Sequence, residues 1–207
     1  MLNEVCQALK DRKAGILGQE KMFKSAVLLP LVKKNGEISV LFEKRAANLS
    51  HQPGEISFPG GKIESYDENP QAAAVRETCE ELGLSPDCIE VIAPLDIMVS
   101  PFNVIVYPYC ASISSFEAIK PLTDEVEEVF VVPLEYLKTY KPIVNRIKLE
   151  PRLPDDYPVH LIPNGKKYAF KKGYLPQLFY LWEDYVIWGM TARILHNFLN
   201  LIKNDNV

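Results

Sequence analysis

At 207 residues, with 47% hydrophobic and 24% charged side chains, the chain has the balance of a globular protein able to bury a core, and a single domain over 1–207 is expected. Its net charge of −4 argues against a general nucleic-acid or anionic-membrane surface, and no apolar run approaches the roughly 18–20 residues that span a bilayer. Four scattered cysteines (Cys6, Cys79, Cys88 and Cys110), without Cys-x-x-Cys spacing, indicate neither a disulfide framework nor a zinc site and point to a reducing cytoplasm.

Residues 2–13 read as a short amphipathic helix, with Leu2, Val5, Cys6 and Leu9 on one face. The apolar run Ala26 to Val32 suggests a buried strand. Asn35-Gly36 signals a hairpin turn, and Glu37 to Phe42 returns as the partner strand, with Arg45 just beyond its end. Residues 46–68 are turn-rich, broken by Pro53, Gly54, Pro59, Gly60 and Gly61. Paired glycines allow close approach of backbone to a ligand, although taken in isolation a plain tight turn is the simpler account.

Asn69-Pro70 then starts a helix, with Asn as N-cap and Pro at the first helical position, and Gly83 sits where a left-handed cap ends it. On this helix Glu77, Glu80 and Glu81 are related as i, i+3 and i+4 and share a face. Like charges at that spacing cost roughly 0.2–0.5 kcal/mol per pair. The last turn of a helix also prefers cations. A divalent cation would remove the conflict, because Mg2+ binds through carboxylate oxygens and bridges substrate phosphates. The plainer account is a solvated acidic helix end.

Beyond it, Ile89 to Met98 and Val104 to Ile113 are β-rich, separated by the Ser100 to Asn103 turn. The acidic run Asp124 to Glu128 precedes an apolar strand, Val129 to Val132, and Pro133 to Tyr140 has the length of a short helix. In 141–182 five early prolines favour irregular structure, and Asn164-Gly165 suggests a hairpin between Val159–Ile162 and Lys166–Phe170. Tyr157, Tyr168, Phe170, Tyr174, Phe179 and Tyr180, with Lys166, Lys167, Lys171 and Lys172 among them, fit either a base-stacking surface or core residues beside a solvated hairpin. Trp188 to Ile202 is an amphipathic helix in which Trp188 is expected to pack, and the three histidines have no partner at metal-ligand spacing.

Gly61 together with Arg76-Glu77-x-x-Glu80-Glu81-x-Gly83-Leu84 resembles the signature box of the Nudix hydrolases, Mg2+-dependent enzymes that cleave nucleoside diphosphates linked to another group. The loop from Gly61 to Arg76 is one residue longer than usual, and the glutamate expected within it is replaced by Asp67 or Glu68 as nearest candidates. The longer loop, the upstream pattern Leu41-x-x-x-Arg45-Ala46, Gly54 and Phe58-Pro59-Gly60-Gly61, and the segment Trp188-Gly189-Met190-Thr191-Ala192 are similar to the coenzyme A pyrophosphatase branch. Two departures are Ser50, where that branch has arginine, and Glu43, where it has threonine.

The resemblance implies an α/β/α sandwich with a mixed central β-sheet, and a box at about 61–84. It implies Mg2+, with Mn2+ as substitute, held by Glu77, Glu80, Glu81 and the carbonyl of Gly60, and a metal-activated water attacking a pyrophosphate. Arg76 would fix the glutamates, and Glu125 is the candidate for a further carboxylate or general base. Arg45, Lys62 and Phe58 would contact substrate, with Arg45 the nearest cation for a 3'-phosphate and Lys62, Lys166 or Lys167 as alternates. The implied substrate is coenzyme A or acyl-coenzyme A, the alternatives being NADH, ADP-ribose or an NDP-sugar, or a non-catalytic nucleotide sensor. The expected partner is therefore a small nucleotide, not a nucleic acid or membrane, with a homodimer as the assembly to test.

Overall fold

The computed structural model describes residues 1–122 and 124–204. Helix α1 spans Leu2–Leu9, shorter than the 2–13 expected, and none of its residues is buried. Strands β1 (Phe23–Lys34) and β2 (Glu37–Arg45) form the hairpin signalled by Asn35-Gly36, whose φ values of 51° and 86° fit the left-handed pair of a type I′ turn. Two short strands, β3 (Ile56–Ser57) and β4 (Gly60–Lys62), lie within the turn-rich stretch. Helix α2 (Pro70–Leu82) starts and stops at the predicted caps: Asn69 Oδ1 accepts from the Ala72 N–H at 2.9 Å, and Gly83 is left-handed. Then follow β5 (Ile89–Pro94), β6 (Met98–Ser100), β7 (Val104–Ile113), β8 (Val126–Pro133) and α3 (Leu134–Thr139). The chain continues through β9 (Ile143–Leu149), β10 (Gly173–Trp182), β11 (Tyr185–Ile187) and α4 (Gly189–Asn204).

Eight strands form one mixed sheet whose main path is β3-β2-β1-β7-β5, with β4 paired to β1, β6 to β7 and β8 to β2. The pairing of β1 with β7 is parallel, from Phe23↔Val104 to Val32↔Ile113. Strand β1 explains the layers. Its alternate residues Ala26 and Leu28 meet Ala73 and Ala74 of α2, whereas Val27, Leu29 and Leu31 join the cluster containing Leu195, Phe198 and Leu199 of α4. A strand buried on both faces reads as a continuous apolar run, as this one does. The mixed sandwich expected from the resemblance is therefore present.

Segment 141–182 differs from expectation. Strands β9 and β10 pair antiparallel through seven positions, Ile143↔Phe179 to Leu149↔Gly173, and β11 completes a second, three-stranded sheet. Asn164-Gly165 does adopt left-handed φ values, but it joins two 3-10 turns, Val159–Leu161 and Gly165–Lys167, and no hairpin forms there. Pro176 fits within β10 because β11 pairs only with Tyr180–Trp182, which leaves Pro176 an edge on one side. The aromatics of this segment mostly pack: Phe170 touches Tyr157 and Tyr168 edge-on, and Tyr180 is buried with its hydroxyl 2.8 Å from His196 Nδ1. The acidic run also differs, since β8 already begins at Val126 and carries Glu127 and Glu128 on the strand.

Candidate active site

Through Ala73 and Ala74, packed against Ala26, Leu28 and Ala111, α2 lies close to the strands, and the helix also contacts β4. Gly60 on β4 has φ 145°, and a Cβ there would strike the backbone carbonyl of Ala26 and the Cα of Val27. A Cβ on Gly61 would stand 2.5 Å from the Glu77 carboxyl. The glycine pair is thus the floor against which the acidic helix is seated.

Arg76 organises the outer carboxylates. Its guanidinium holds Asp67 with two bonds, Nε to Oδ1 at 2.9 Å and Nη2 to Oδ2 at 3.0 Å, and Nη1 donates to Glu77 at 2.8 Å and Glu80 at 3.2 Å. This fork keeps the Asp67 carboxyl below the usual range. Burial pushes Glu77 up, opposed by Arg76. Glu81 turns the other way, into the protein. It is 5% exposed, its Oε2 accepts from the Gly60 N–H at 2.7 Å, and burial followed by the charge of Glu43 raises its pKa well above normal. The three box glutamates, equivalent by helical spacing, are therefore split: Glu77 and Glu80 on Arg76, and Glu81 inside.

Glu43 is one of the two departures from the branch pattern, and the sequence assigns it no role in the site. It lies on β2, paired with Ser57 and Val129, and only 1% of it is exposed. Burial pushes its pKa up to about 7, opposed by a hydrogen bond from Ser57 and by Arg45 and reinforced by Glu125. A glutamate ending the apolar run Val40-Leu41-Phe42 was the available signal.

A cavity of about 660 Å³ opens over this floor, lined among others by Arg45, Phe58, Gly60, Gly61, Lys62 and Trp188. Arg45 neighbours both Glu43 and Glu81 electrostatically, and its side-chain hydrogen bond among the described residues, to the His51 carbonyl, is long at 3.5 Å. Lys62 is exposed and paired with Glu64 at 2.8 Å. Phe58 is a core residue, 3% exposed and stacked 5.0 Å from Phe42, that also lines the wall. Trp188, expected to be packed, is 41% exposed at the cavity and stacks on Phe179. Lys166 and Lys167 lie in the turn after Asn164 and are not on the cavity wall.

Glu125 is exposed just before β8, where its carbonyl accepts from the Ala46 N–H at 2.9 Å and its charge acts on both Glu43 and Glu77. Glu127 instead pairs with Lys44 at 2.6 Å. Among the described residues, no three His, Cys, Asp or Glu side chains converge closely enough to hold a metal unaided. The donors are nonetheless all oxygen, and the Glu43 Oε2 atom is buried without a partner among the described residues, which suits a hard cation that completes its shell with phosphate and water.

The sequence profile of the Nudix domain matches residues 22–151. The chain belongs to the Nudix family. Among its Nudix relatives, the mouse peroxisomal coenzyme A diphosphatase NUDT7 is 39% identical over 113 residues, covering 55% of this chain and 48% of the mouse protein. Nudix hydrolase 22, chloroplastic, of Arabidopsis thaliana is 34% identical over 179 residues, 83% of this chain and 53% of the plant protein. The uncharacterized Nudix hydrolase NudL of Enterobacter sp. strain 638 is 30% identical over 172 residues, 83% of this chain and 78% of that protein. The chain spans about half the length of the first of these relatives. The MutT/nudix family protein of Enterococcus faecalis shares the fold at 18% identity with a TM-score of 0.54, covering 98% of this chain and 70% of that one. No helix among the described residues is long and apolar enough to cross a membrane.

Proposed function

We propose that this Nudix protein hydrolyses the pyrophosphate bond of coenzyme A or its acyl thioesters, giving 3',5'-ADP and 4'-phosphopantetheine or its acyl form. The observation that carries the reading is the cavity lined by Gly60 and Gly61, with Glu77 and Glu81 seated against those glycines and Arg45 and Lys62 in its wall. The mouse relative named as a coenzyme A diphosphatase supports the substrate. Water attacks one phosphorus, the bridging P–O bond breaks, and the departing phosphate leaves with the bonding electrons while a carboxylate takes the proton. Mg2+, or Mn2+ in its place, would be held by Glu77, Glu80, Glu81 and the Gly60 carbonyl, and would neutralise the diphosphate and acidify the attacking water. Arg76 holds Glu77 and Glu80 in place, and Gly60 holds Glu81.

Glu125 is our candidate for the proton acceptor. Glu125→Gln should then slow turnover at least ~10-fold, given that a lost general base typically costs about 100-fold or more. Glu127→Gln should be nearly silent, because its pair with Lys44 is at the surface. Equal and small effects in a steady-state assay would assign both to a solvated rim.

Arg45 was the expected reader of the 3'-phosphate. Its place beside Glu43 and Glu81 suits the diphosphate better, leaving Lys62 for the 3'-phosphate. Arg45→Lys should therefore slow coenzyme A and dephospho-coenzyme A alike, by roughly 10-fold or more for a lost charged hydrogen bond. Lys62→Gln should narrow the preference for coenzyme A. The deciding experiment is a Mg2+-dependent hydrolysis screen of coenzyme A, dephospho-coenzyme A, NADH, ADP-ribose and nucleoside triphosphates. Release of 3',5'-ADP is expected, and cleavage of NADH or ADP-ribose with none of coenzyme A overturns the substrate. All four cysteines are free, in keeping with a cytoplasmic location, which differs from the peroxisomal one in the mouse relative's name.

A further inference from the structure

Glu43 lies two residues before the end of β2, outside the box helix, and it has one oxygen accounted for and one not. Oε1 accepts from the Ser57 hydroxyl at 2.9 Å across the β2–β3 pair, whereas Oε2 is buried with no partner among the described residues. The residue is 1% exposed, so bulk water does not compensate it. Leu41, two residues earlier on the same face of β2, shares a buried cluster with Leu82 of α2, so Glu43 faces the helix end that carries Glu81, itself 5% exposed and held by Gly60. Arg45 is the cation beside both, but among the described residues it hydrogen-bonds neither Glu43 nor Glu81, and its own Nε is buried without a partner.

Neither protonation state of Glu43 is satisfied as it stands. An ionised Oε2 is a buried charge lacking a partner, and a protonated one is a donor lacking an acceptor. A single water would supply the hydrogen bond but would leave the charge of two buried carboxylates uncompensated. A divalent cation satisfies both requirements. The hydroxyl on Oε1 matches the arrangement in which a ligating carboxylate is itself oriented by a hydrogen bond, with its other oxygen presented to the metal.

We infer that Glu43 and Glu81 together hold one divalent cation, with Ser57 as the positioning residue, so that the Nudix metal centre extends from the box helix onto β2. This rests on the reading of the cavity floor as a metal-dependent centre. It divides the carboxylates into an outer pair, Glu77 and Glu80, set by Arg76, and an inner pair, Glu43 and Glu81, set by Ser57 and Gly60.

The test is Mn2+ binding, followed by electron paramagnetic resonance and calorimetry on the full chain, with melting curves in EDTA as the control for folding. Glu43→Gln keeps an oxygen for Ser57 and should weaken one bound Mn2+ by at least about 10- to 100-fold, the range seen when even an outer-sphere partner is lost. Its EDTA melting temperature should equal or exceed that of the unsubstituted protein. Ser57→Ala should weaken the same ion by a smaller factor, and Glu127→Gln should leave it unchanged. If Glu43→Gln does not fold, Glu43→Asp, which keeps the charge and shortens the reach, should show the same loss. Unsubstituted Mn2+ affinity and stoichiometry in the folded Glu43 variant overturn the inference, as does a starting protein that binds no Mn2+. A protein that loses Mn2+ in Glu43→Gln yet never cleaves coenzyme A sinks the substrate and leaves the site. One that cleaves coenzyme A with Mn2+ binding indifferent to Glu43 does the reverse.

Discussion

Replacing Glu81 by Gln is expected to abolish hydrolysis while leaving the fold intact. The amide oxygen of Gln can still accept from the Gly60 N–H, so the bond that seats the end of α2 on β4 is retained. What disappears is the charge. Losing an outer-sphere partner of a metal ligand already costs about 10–100-fold, so loss of the ligand itself should reach roughly 1000-fold. Glu77→Gln should behave similarly, with its amide seated against Gly61 but its charged partnership with Arg76 reduced. In EDTA the sign reverses. Glu81 is buried against the charge of Glu43, and its raised pKa means that the native state retains a proton which the unfolded chain gives up. That penalty is absent below the unfolded pKa of about 4.3 and grows as pH rises through the folded value. Glu81→Gln should therefore melt higher than the unsubstituted protein in EDTA near neutrality, by about 2–4 °C per kcal/mol recovered, and match it at low pH. Near-normal turnover in both glutamine variants would remove the box helix from the chemistry.

Gly60→Ala should give the largest loss of stability. The added Cβ meets the carbonyl of Ala26 and the Cα of Val27, both backbone atoms of β1 at the centre of the sheet, and a φ of 145° is one that side-chain-bearing residues rarely adopt. Neither obstacle can rotate away. Backbone strain of about 1–3 kcal/mol and a comparable overpacking cost place the loss at 3 kcal/mol or more. Gly61→Ala provides the contrast. Its Cβ would meet only the carboxyl end of Glu77, a flexible side chain, so the protein should melt much closer to normal and lose activity instead. Thermal melts and rates on the two variants separate these outcomes, and a Gly60→Ala protein as stable as the original would mean that β4 does not lie against β1 as described.

Much of this was written in local signals. Asn69, Pro70 and Gly83 set the ends of α2 at their expected places because capping is decided within a few residues. The β1–β2 hairpin followed from Asn35-Gly36 for the same reason. Asn164-Gly165 shows the limit of that logic: the dipeptide makes its left-handed turn, but what flanks it is decided by distant pairing, and β9 finds β10 across a connection of more than twenty residues. The box glutamates were legible as a group, whereas their division was not. Helical spacing makes Glu77, Glu80 and Glu81 equivalent, and only the Gly60 N–H and the Arg76 fork distinguish them. Glu43 was illegible for a further reason. Its meaning depends on Ser57 and Glu81, brought to it by two other elements.

The parallel pairing of β1 with β7 also determines how the chain can be made. Phe23 and Val104 are partners roughly eighty residues apart, and β2 waits still longer for β8, so the centre of the sheet closes only after most of the chain exists. Emerging from a ribosome, the β1–β2 hairpin would present two unpaired edges and both faces of an apolar strand until β7 arrived. The nascent chain is thus most prone to association in that interval, and a chaperone or a fast-forming α2 laid over Ala26 and Leu28 would matter most there.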